Sequence, residues 1–229
     1  KYRTADFDCI AIQSESQKDT ILEKYPFLRG KEIIKTNQSI DFTQYSNIEI
    51  SSKKNSMIWS SHKTRGLQFF CERIFPKIRE KIKDFSLNVC SYVNDNQDEY
   101  LLQDGIEVLQ NVPKGQLIDL QKKSKIWIYP NIIDEGGKRP KETFCITAME
   151  NAAALNALII PNNDSFSDIF EGYSGLVNLN EINMVTFDFI ERSVRCLTDE
   201  DYRKKLAIES KNKIYKYTWE TAAKSFLKE

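Results

Sequence analysis

The sequence alternates short apolar runs with longer amphipathic segments, and this alternation limits the fold more than any other feature. Runs such as residues 126–129 and 158–161 are apolar almost throughout, as expected of strands covered on both faces of a parallel sheet. The segments between them place apolar residues at helical spacing, as Leu67, Phe70 and Ile74 do. Because strands that alternate with helices form βαβ units, the sequence predicts an α/β fold with a Rossmann-like, doubly wound parallel sheet.

The pattern predicts the position of each element. Strands are predicted at residues 8–12, 33–36, 56–60, 87–92, 106–109, 126–129, 158–161 and 176–179. Helices are predicted at residues 15–25, 67–83, 115–123, 144–156, 165–170, 184–197, 199–216 and 218–227. The polar stretch over residues 43–55 is the best candidate for a linker. We therefore interpret residues 1–46 as the tail of an N-terminal domain with its linker, and residues 47–217 as one complete Rossmann-like domain.

Composition excludes several classes of function. The 33 basic and 33 acidic side chains balance, whereas a dedicated nucleic-acid binder normally carries a basic surplus, so we expect no nucleic-acid partner. No apolar segment approaches the roughly 18 to 20 residues that a membrane span needs, so no transmembrane segment is expected. The five cysteines include no CxxC pair and His62 is the single histidine, so we expect no metal site, reduced thiols and a cytoplasmic location.

Two glutamates flank a predicted helix start. The strand IWIYPN ends at Pro130, a loop follows, and a helix is predicted to open near Phe144, with Glu142 just before it and Glu150 two turns inside. Ligands of open parallel sheets bind beyond the carboxyl ends of the strands, where the free N–H groups of a helix start suit phosphate. Ionised carboxylates accept hydrogen bonds from neighbouring sugar or ribose hydroxyls. This arrangement indicates a nucleotide-sugar site.

The same residues carry a resemblance to a known family. Glu142-x7-Glu150 before an apolar strand resembles the donor-binding C-terminal domain of retaining glycosyltransferases of the GT-B fold, particularly glycosyltransferase family 4. SSHKTRGL resembles the family's basic diphosphate loop, and VPKGQLIDLQKKSKIWIYPN resembles its helix-then-strand approach to the glutamates. ADFDCIAIQSESQKDTILEKYP resembles the end of its N-terminal domain, and YTWETAAKSFLKE its C-terminal crossing helix, here residues 218–229.

The resemblance implies an activity. It implies an enzyme of carbohydrate biosynthesis that transfers a sugar from a nucleotide-diphosphate-sugar donor to a carbohydrate, lipid or protein acceptor, with retention of anomeric configuration. It implies no cofactor and no metal, the nucleotide sugar being the substrate. Residues 47–217 would be the nucleotide-sugar-binding domain, so this chain would carry mainly the donor-binding half of the enzyme.

The resemblance also implies roles for individual residues. Glu142 and Arg65 would be catalytic, the first holding hydroxyls of the donor sugar and the second offsetting charge on the departing diphosphate. Glu150 would hold the ribose hydroxyls. The remaining donor-binding positions are Phe144, Cys145, Ile146, Thr147, Ser60, Ser61, Lys138 and Arg139.

Some positions depart from the family pattern. Ser60 stands where the family has a second basic residue, a contact that Lys63, Lys138 or Arg139 would have to replace. Thr143 and Cys145 stand where glycines are usual, and Leu155-Asn156-Ala157 replaces Gly-x-Pro. We expect Cys145 to be a small packing residue rather than a nucleophile. Two alternatives stay open: a non-catalytic GT-B-like binding domain with a degenerate site, and a nucleotide-sugar epimerase.

Overall fold

The computed structural model describes residues 8–91, 98–132 and 141–227. Its strands are β1 (Cys9–Ile12), β2 (Glu32–Lys35), β3 (Lys54–Trp59), β4 (Ser86–Ser91), β5 (Ile106–Gln110), β6 (Ser124–Ile128), β7 (Ala157–Pro161) and β8 (Leu176–Val177). Its helices are α1 (Glu15–Lys24), α2 (Leu67–Phe69), α3 (Phe75–Lys81), α4 (Lys114–Lys123), α5 (Ile146–Ala153), α6 (Asp164–Ile169), α7 (Ile182–Thr198), α8 (Glu200–Ile214) and α9 (Trp219–Leu227).

Six strands form one parallel sheet in the order β5-β4-β3-β6-β7-β8. The chain builds outward from β3 to β5, then returns to the other side of β3 and builds outward again from β6 to β8. The strand order therefore reverses between β3 and β6, the switch point at which doubly wound sheets bind ligands. The α/β fold with a Rossmann-like parallel sheet, predicted from the alternating pattern, is confirmed.

The central strands are buried on both faces, as their continuous apolar runs predict. Met57 to Trp59 in β3 and Ile126 to Ile128 in β6 are fully buried, and Trp59, Tyr129 and Trp127 stack at centroid separations of 5.9 and 5.0 Å. Burying one large apolar side chain contributes roughly 1.5 to 3 kcal/mol. This stack fixes the ends of the two strands at the switch point.

The helix predicted over residues 67–83 is interrupted. A π-helical turn, Phe70–Ile74, separates α2 from α3, because Pro76 has no N–H to donate to a carbonyl one turn earlier. The apolar face survives the interruption: Phe70, Ile74 and Ile78 are all fully buried. The helix predicted over residues 144–156 is also shorter, since α5 begins at Ile146 and ends at Ala153.

The N-terminal segment forms a separate two-stranded parallel sheet, β1 beside β2, with α1 between them in sequence. The backbone N–H of Ser16, in α1, donates to Asp168 of α6 at 3.2 Å. The polar stretch over residues 43–55 folds into short 3-10 turns, and Tyr45 is 3% exposed and packs into the main core. The linker assignment of this stretch and the domain boundaries near residues 46 and 217 stay predictions.

A buried lysine joins the end of α4 to the residue before β7. Lys53 is 6% exposed, and its Nζ donates to Lys122 O and Ser124 O at 2.8 Å and to Asn156 Oδ1 at 2.7 Å. The two carbonyls lie at the carboxyl end of α4, where the helix dipole is negative. Burial, followed by the charge of Arg203, lowers the pKa of Lys53 to about 7.

A glycine lets the loop after β3 lie directly on the chain that follows β6. Gly66 has φ +97°, and a Cβ built there would lie 2.3 Å from the carbonyl oxygen of Pro130. Both the left-handed backbone and the missing side chain are therefore required at this position. Gly172 is the matched case without the close approach, because its φ is +70° and no backbone atom lies within 4 Å of the Cβ position.

We expect Gly66→Ala to lower the free energy of unfolding by about 2–4 kcal/mol, the sum of left-handed strain and a clash with rigid backbone. Gly172→Ala should cost only the strain, about 1 kcal/mol. Urea unfolding of both variants measures the difference. Equal losses would show that the Pro130 contact does not limit position 66.

We expect the stability of the wild type to rise with pH relative to Lys53→Met. The pKa of Lys53 is about 7 when folded and about 10.4 when unfolded. Between those values the unfolded chain binds more protons, so the free energy of unfolding rises by up to about 1.4 kcal/mol per pH unit. Urea unfolding of both proteins at pH 7, 8 and 9 tests this expectation. A difference in their free energies of unfolding that stays constant with pH would contradict the lowered pKa of Lys53.

Candidate functional site

The loops that follow β3 and β6 meet at the switch point. The backbone of Gly66 lies against the carbonyl of Pro130, and this contact places the neighbouring Arg65 beside the loop that follows β6. Arg65 Nη1 donates to the backbone oxygen of Lys141 at 3.3 Å and lies 3.9 Å from Glu142 Oε2. The side chains of Arg65 and Glu142 are 31% and 11% exposed. Two residues that are 77 positions apart in sequence, and that were predicted to share a site, are thus neighbours.

Glu142 is held at its side chain and at its backbone. The hydroxyl of Tyr129 donates to Glu142 Oε2 at 2.9 Å. The backbone N–H of Glu142 donates to Asp164 Oδ2 at 3.1 Å, and its carbonyl accepts from the Ser165 N–H at 3.3 Å. Burial, followed by the charges of Cys145 and Glu142, raises the pKa of Tyr129 well above its usual range, so the phenol stays a donor. The carboxylate is therefore oriented before any ligand arrives.

Glu150 lies in the second turn of α5 and has a different set of partners. Its side chain is 12% exposed; Oε1 is paired with the ammonium of Lys114, and Oε2 accepts from Gln121 Nε2 at 3.3 Å. Gln121 Oε1 accepts in turn from the Tyr45 hydroxyl at 2.9 Å. The two glutamates therefore have separate surroundings: Glu142 lies beside Arg65 and Glu150 beside Lys114, as two ends of one extended ligand would require.

The start of α5 offers backbone donors between these carboxylates. The Cys145 carbonyl accepts from the N–H groups of Ala148 and Met149, whereas the first N–H groups of a helix have no partner within it. Phe144 and Cys145 are buried, at 5% and 6% exposure, with Phe144 against Tyr217, so their side chains point into the core. Of the other predicted donor-binding residues here, Ile146 is 40% exposed and Thr147 is half-buried.

The described residues offer fewer basic contacts to a diphosphate than the resemblance implies. Ser60 directly follows β3, and within the described residues its buried hydroxyl has no hydrogen-bond partner. The Ser61 carbonyl accepts from the Trp59 indole N–H at 2.8 Å. The ammonium of Lys63 is 3.1 Å from Asp98, which balances its charge. Lys138 and Arg139 lie outside the described residues.

The described part of the chain contains neither a candidate metal cluster nor a candidate membrane span. Across residues 8–91, 98–132 and 141–227, no group of three or more His, Cys, Asp or Glu side chains could hold a metal ion. No helix in these ranges is both long and apolar enough to span a bilayer. Asp199 caps α8 by accepting from the Tyr202 N–H at 2.9 Å. A site that works without a metal remains a prediction.

Sequence reasoning missed the residues that hold the two carboxylates. Tyr129 could have been found, because it directly follows β6 and the carboxyl ends of parallel strands line such sites. Gln121 and Tyr45 gave no signal: they lie 29 and 105 positions from Glu150, and only the folded chain brings them together.

Known structures share this architecture. No family profile matches the chain, and no curated protein matches it by sequence. A mutant of S. aureus TarM in complex with fondaparinux, alpha-GlcNAc-glycerol and UDP superposes with a TM-score of 0.77 at 11% identity, over 98% of this chain and 44% of that one. The pneumococcal O-GlcNAc transferase GtfA, in complex with UDP and GlcNAc, gives 0.72 at 13% identity, over 96% and 44%.

A third structure is itself a single domain. The C-terminal domain of a glycosyl transferase group 1 family protein (LpcC) from Francisella tularensis superposes with a TM-score of 0.60 at 15% identity, over 79% of this chain and 99% of that one. The chain has the fold of a GT-B C-terminal domain. It spans 44% of the length of the TarM and GtfA chains, so it matches less than half of each of these GT-B proteins. At these identities the likeness concerns the GT-B fold alone.

We expect the native protein to expose one reactive thiol. Cys9 is exposed, whereas Cys71, Cys90, Cys145 and Cys196 are buried. Burial, followed by the charge of Glu142, raises the pKa of the Cys145 thiol well above its usual value. Ellman's reagent should therefore titrate one thiol in buffer and five in guanidinium. Cys9→Ser should remove the thiol that reacts rapidly in buffer. A second fast thiol that disappears in Cys145→Ser would identify Cys145 as a reactive group.

Proposed function

We propose that this chain is the donor-binding half of a glycosyltransferase that moves a sugar from a nucleotide-diphosphate-sugar to an acceptor, with retention of configuration. The observation that carries the proposal is the placement of Arg65 Nη1 3.9 Å from Glu142 Oε2 at the switch point, immediately before the start of α5. Glu150, on the same helix, supplies a second carboxylate that is 12% exposed. A cation, open backbone donors and two separate carboxylates match the parts of a nucleotide sugar.

Each residue then has a chemical task. Glu142, oriented by Tyr129, accepts hydrogen bonds from hydroxyls of the donor sugar. The N–H groups at the start of α5 and the guanidinium of Arg65 meet the diphosphate, on which negative charge accumulates as the sugar–oxygen bond breaks. Preorganised charge stabilisation of this kind is usually the largest contribution to catalysis. Glu150 accepts hydrogen bonds from the ribose hydroxyls. No resident metal is required.

The contacts described above involve neither the acceptor nor the nucleotide base, so both are proposed from chemistry. We propose a carbohydrate, lipid or protein acceptor, whose oxygen bonds to the anomeric carbon on the face that the diphosphate leaves, because attack from the opposite face would invert the configuration. UDP is the first nucleotide to test, because the TarM and GtfA structures each contain UDP. GDP and ADP are the necessary comparisons, since neither Glu142 nor Glu150 would touch the base.

A non-catalytic binding domain is the second candidate, and specific contacts favour it. Glu150 already has an ammonium and an amide as partners. Ser60 supplies a hydroxyl where the resembling family has a cation. A domain that had lost donor binding could keep such internally satisfied groups. A nucleotide-sugar epimerase, the remaining alternative, would convert the donor sugar without any acceptor.

Calorimetric titration with UDP, GDP and ADP, in EDTA and again with Mg²⁺, tests the proposal. One nucleotide should bind in EDTA, and Glu150→Gln should weaken it about ten- to a hundredfold, or roughly 1.5 to 3 kcal/mol, through loss of a charge-assisted bond. Glu107→Gln, at an exposed position of β5, is the matched control and should bind like the wild type.

The other outcomes separate the candidates. Failure of a folded protein to bind any of the three nucleotides would refute the donor-site proposal and favour the degenerate domain. Binding that depends on Mg²⁺ would contradict the metal-free site. Conversion of a bound nucleotide sugar into its epimer, detected by chromatography with no acceptor present, would favour the epimerase.

A further inference from the structure

We propose that Tyr45 and Gln121 are positioning residues that orient Glu150 and thereby give the site its preference for ribose over 2′-deoxyribose. This inference rests on the proposed function, because it assigns the ribose to Glu150. It adds two residues from distant parts of the chain: Tyr45 from the 3-10 turn Phe42–Tyr45, and Gln121 from the last turn of α4.

The three side chains form one hydrogen-bonded chain inside the protein. Tyr45 is 3% exposed and Gln121 fully buried. The Tyr45 hydroxyl lies 2.9 Å from Gln121 Oε1, and Gln121 Nε2 lies 3.3 Å from Glu150 Oε2. A buried amide between a phenol and a carboxylate is stabilising only when every donor meets an acceptor.

The carboxylate at one end fixes the direction of every bond in the chain. An ionised Glu150 can only accept, so the Gln121 amide must turn its NH₂ group toward it. The amide oxygen then faces Tyr45, whose hydroxyl must donate. If the Tyr45 hydroxyl were removed, Gln121 Oε1 would lose its hydrogen bond, and the amide would hold Glu150 Oε2 without an anchor at its other end.

The two oxygens of Glu150 have unequal partners. Oε2 is held by the buried Gln121, whose backbone carbonyl is itself within 3.5 Å of the Lys53 ammonium. Oε1 is paired with Lys114, whose side chain is 55% exposed. An exposed ion pair contributes little, about 0 to 1 kcal/mol, and can yield to a ligand. Oε1 is therefore the oxygen left for ribose hydroxyls, while Gln121 keeps the carboxylate plane fixed.

The chain works with its hydroxyl protonated. Burial, followed by the charge of Glu150, raises the pKa of Tyr45 well above its usual value. Tyr45 therefore remains a donor across the pH range in which the protein would be assayed. A role that was only structural would tie the turn Phe42–Tyr45 to α4 without any effect on which sugar is bound, and this difference makes the proposal testable.

The experiment compares UDP with 2′-deoxy-UDP by calorimetry on the intact chain, with the corresponding GDP or ADP pair if one of those binds instead. The wild type should prefer the ribonucleotide about tenfold, the value of one charge-assisted hydrogen bond. Tyr45→Phe and Gln121→Met should weaken ribonucleotide binding about three- to tenfold and 2′-deoxyribonucleotide binding less, because only its 3′-hydroxyl remains to meet Glu150, so that the preference falls toward one.

Tyr173→Phe is the matched control. Its hydroxyl is also buried and hydrogen-bonded, but to the backbone of Leu158, away from Glu150. It should lose stability in thermal unfolding and keep the tenfold preference. Gln121→Glu, which sets a second carboxylate against Glu150, should weaken the ribonucleotide more than Gln121→Met does.

Two failures are distinguishable. An unchanged preference in folded Tyr45→Phe and Gln121→Met, or a wild type that does not distinguish the two sugars, would overturn the positioning role while leaving nucleotide binding intact. Absence of binding by every nucleotide to the wild type would overturn the proposed function and this inference together.

Discussion

The approach of the Gly66 backbone to the Pro130 carbonyl is the contact on which the site depends. It occurs at the point where strand order reverses, so it joins the two loops that a doubly wound sheet places around a ligand. With any side chain at position 66 the loop after β3 would have to lift away from β6, and Arg65 would leave Glu142. The parallel sheet supplies the crevice, but this one close contact brings its two sides together.

Neutral donors, rather than buried cations, orient the carboxylates of the site. Tyr129 holds Glu142 and Gln121 holds Glu150, while the cations beside them, Arg65 and Lys114, are 31% and 55% exposed. A neutral donor fixes the direction of a carboxylate without cancelling the charge that ligand hydroxyls need. A fully buried ion pair would satisfy the carboxylate and resist displacement, because breaking it leaves an uncompensated charge. Each carboxylate is therefore fixed in direction while its negative charge is not cancelled by a buried cation.

The elements were predictable because they follow from local rules, whereas the meeting of Arg65 with Glu142 was implied by the resemblance and agrees with the topology of a parallel sheet. Apolar runs identify strands buried on two faces, and residues just past the ends of parallel strands share one edge of the sheet. The helix interruption near Pro76 was also visible in principle, since a proline inside a helical pattern removes a donor. The Tyr45–Gln121–Glu150 chain was not predictable, because it depends on how a turn and two helices pack. Its members lie in a stretch that composition alone marks as a linker, and in two helices whose facing sides only the folded chain defines.

The departures from the family pattern have different physical consequences. Cys145 replaces a glycine without strain, because its φ is −88° and its side chain points into the core. Leu155 does carry strain: it replaces the first residue of Gly-x-Pro and has φ +58°, a conformation that costs a leucine about 1–2 kcal/mol. The next residue offsets that cost, since Asn156 Oδ1 accepts from Lys53 and its Nδ2 donates to Asn151. Ser60 has no such compensation, because its buried hydroxyl has no hydrogen-bond partner among the described residues. Among the described residues, Arg65 is thus the cation of this loop that lies within 4 Å of Glu142, at 3.9 Å from its Oε2.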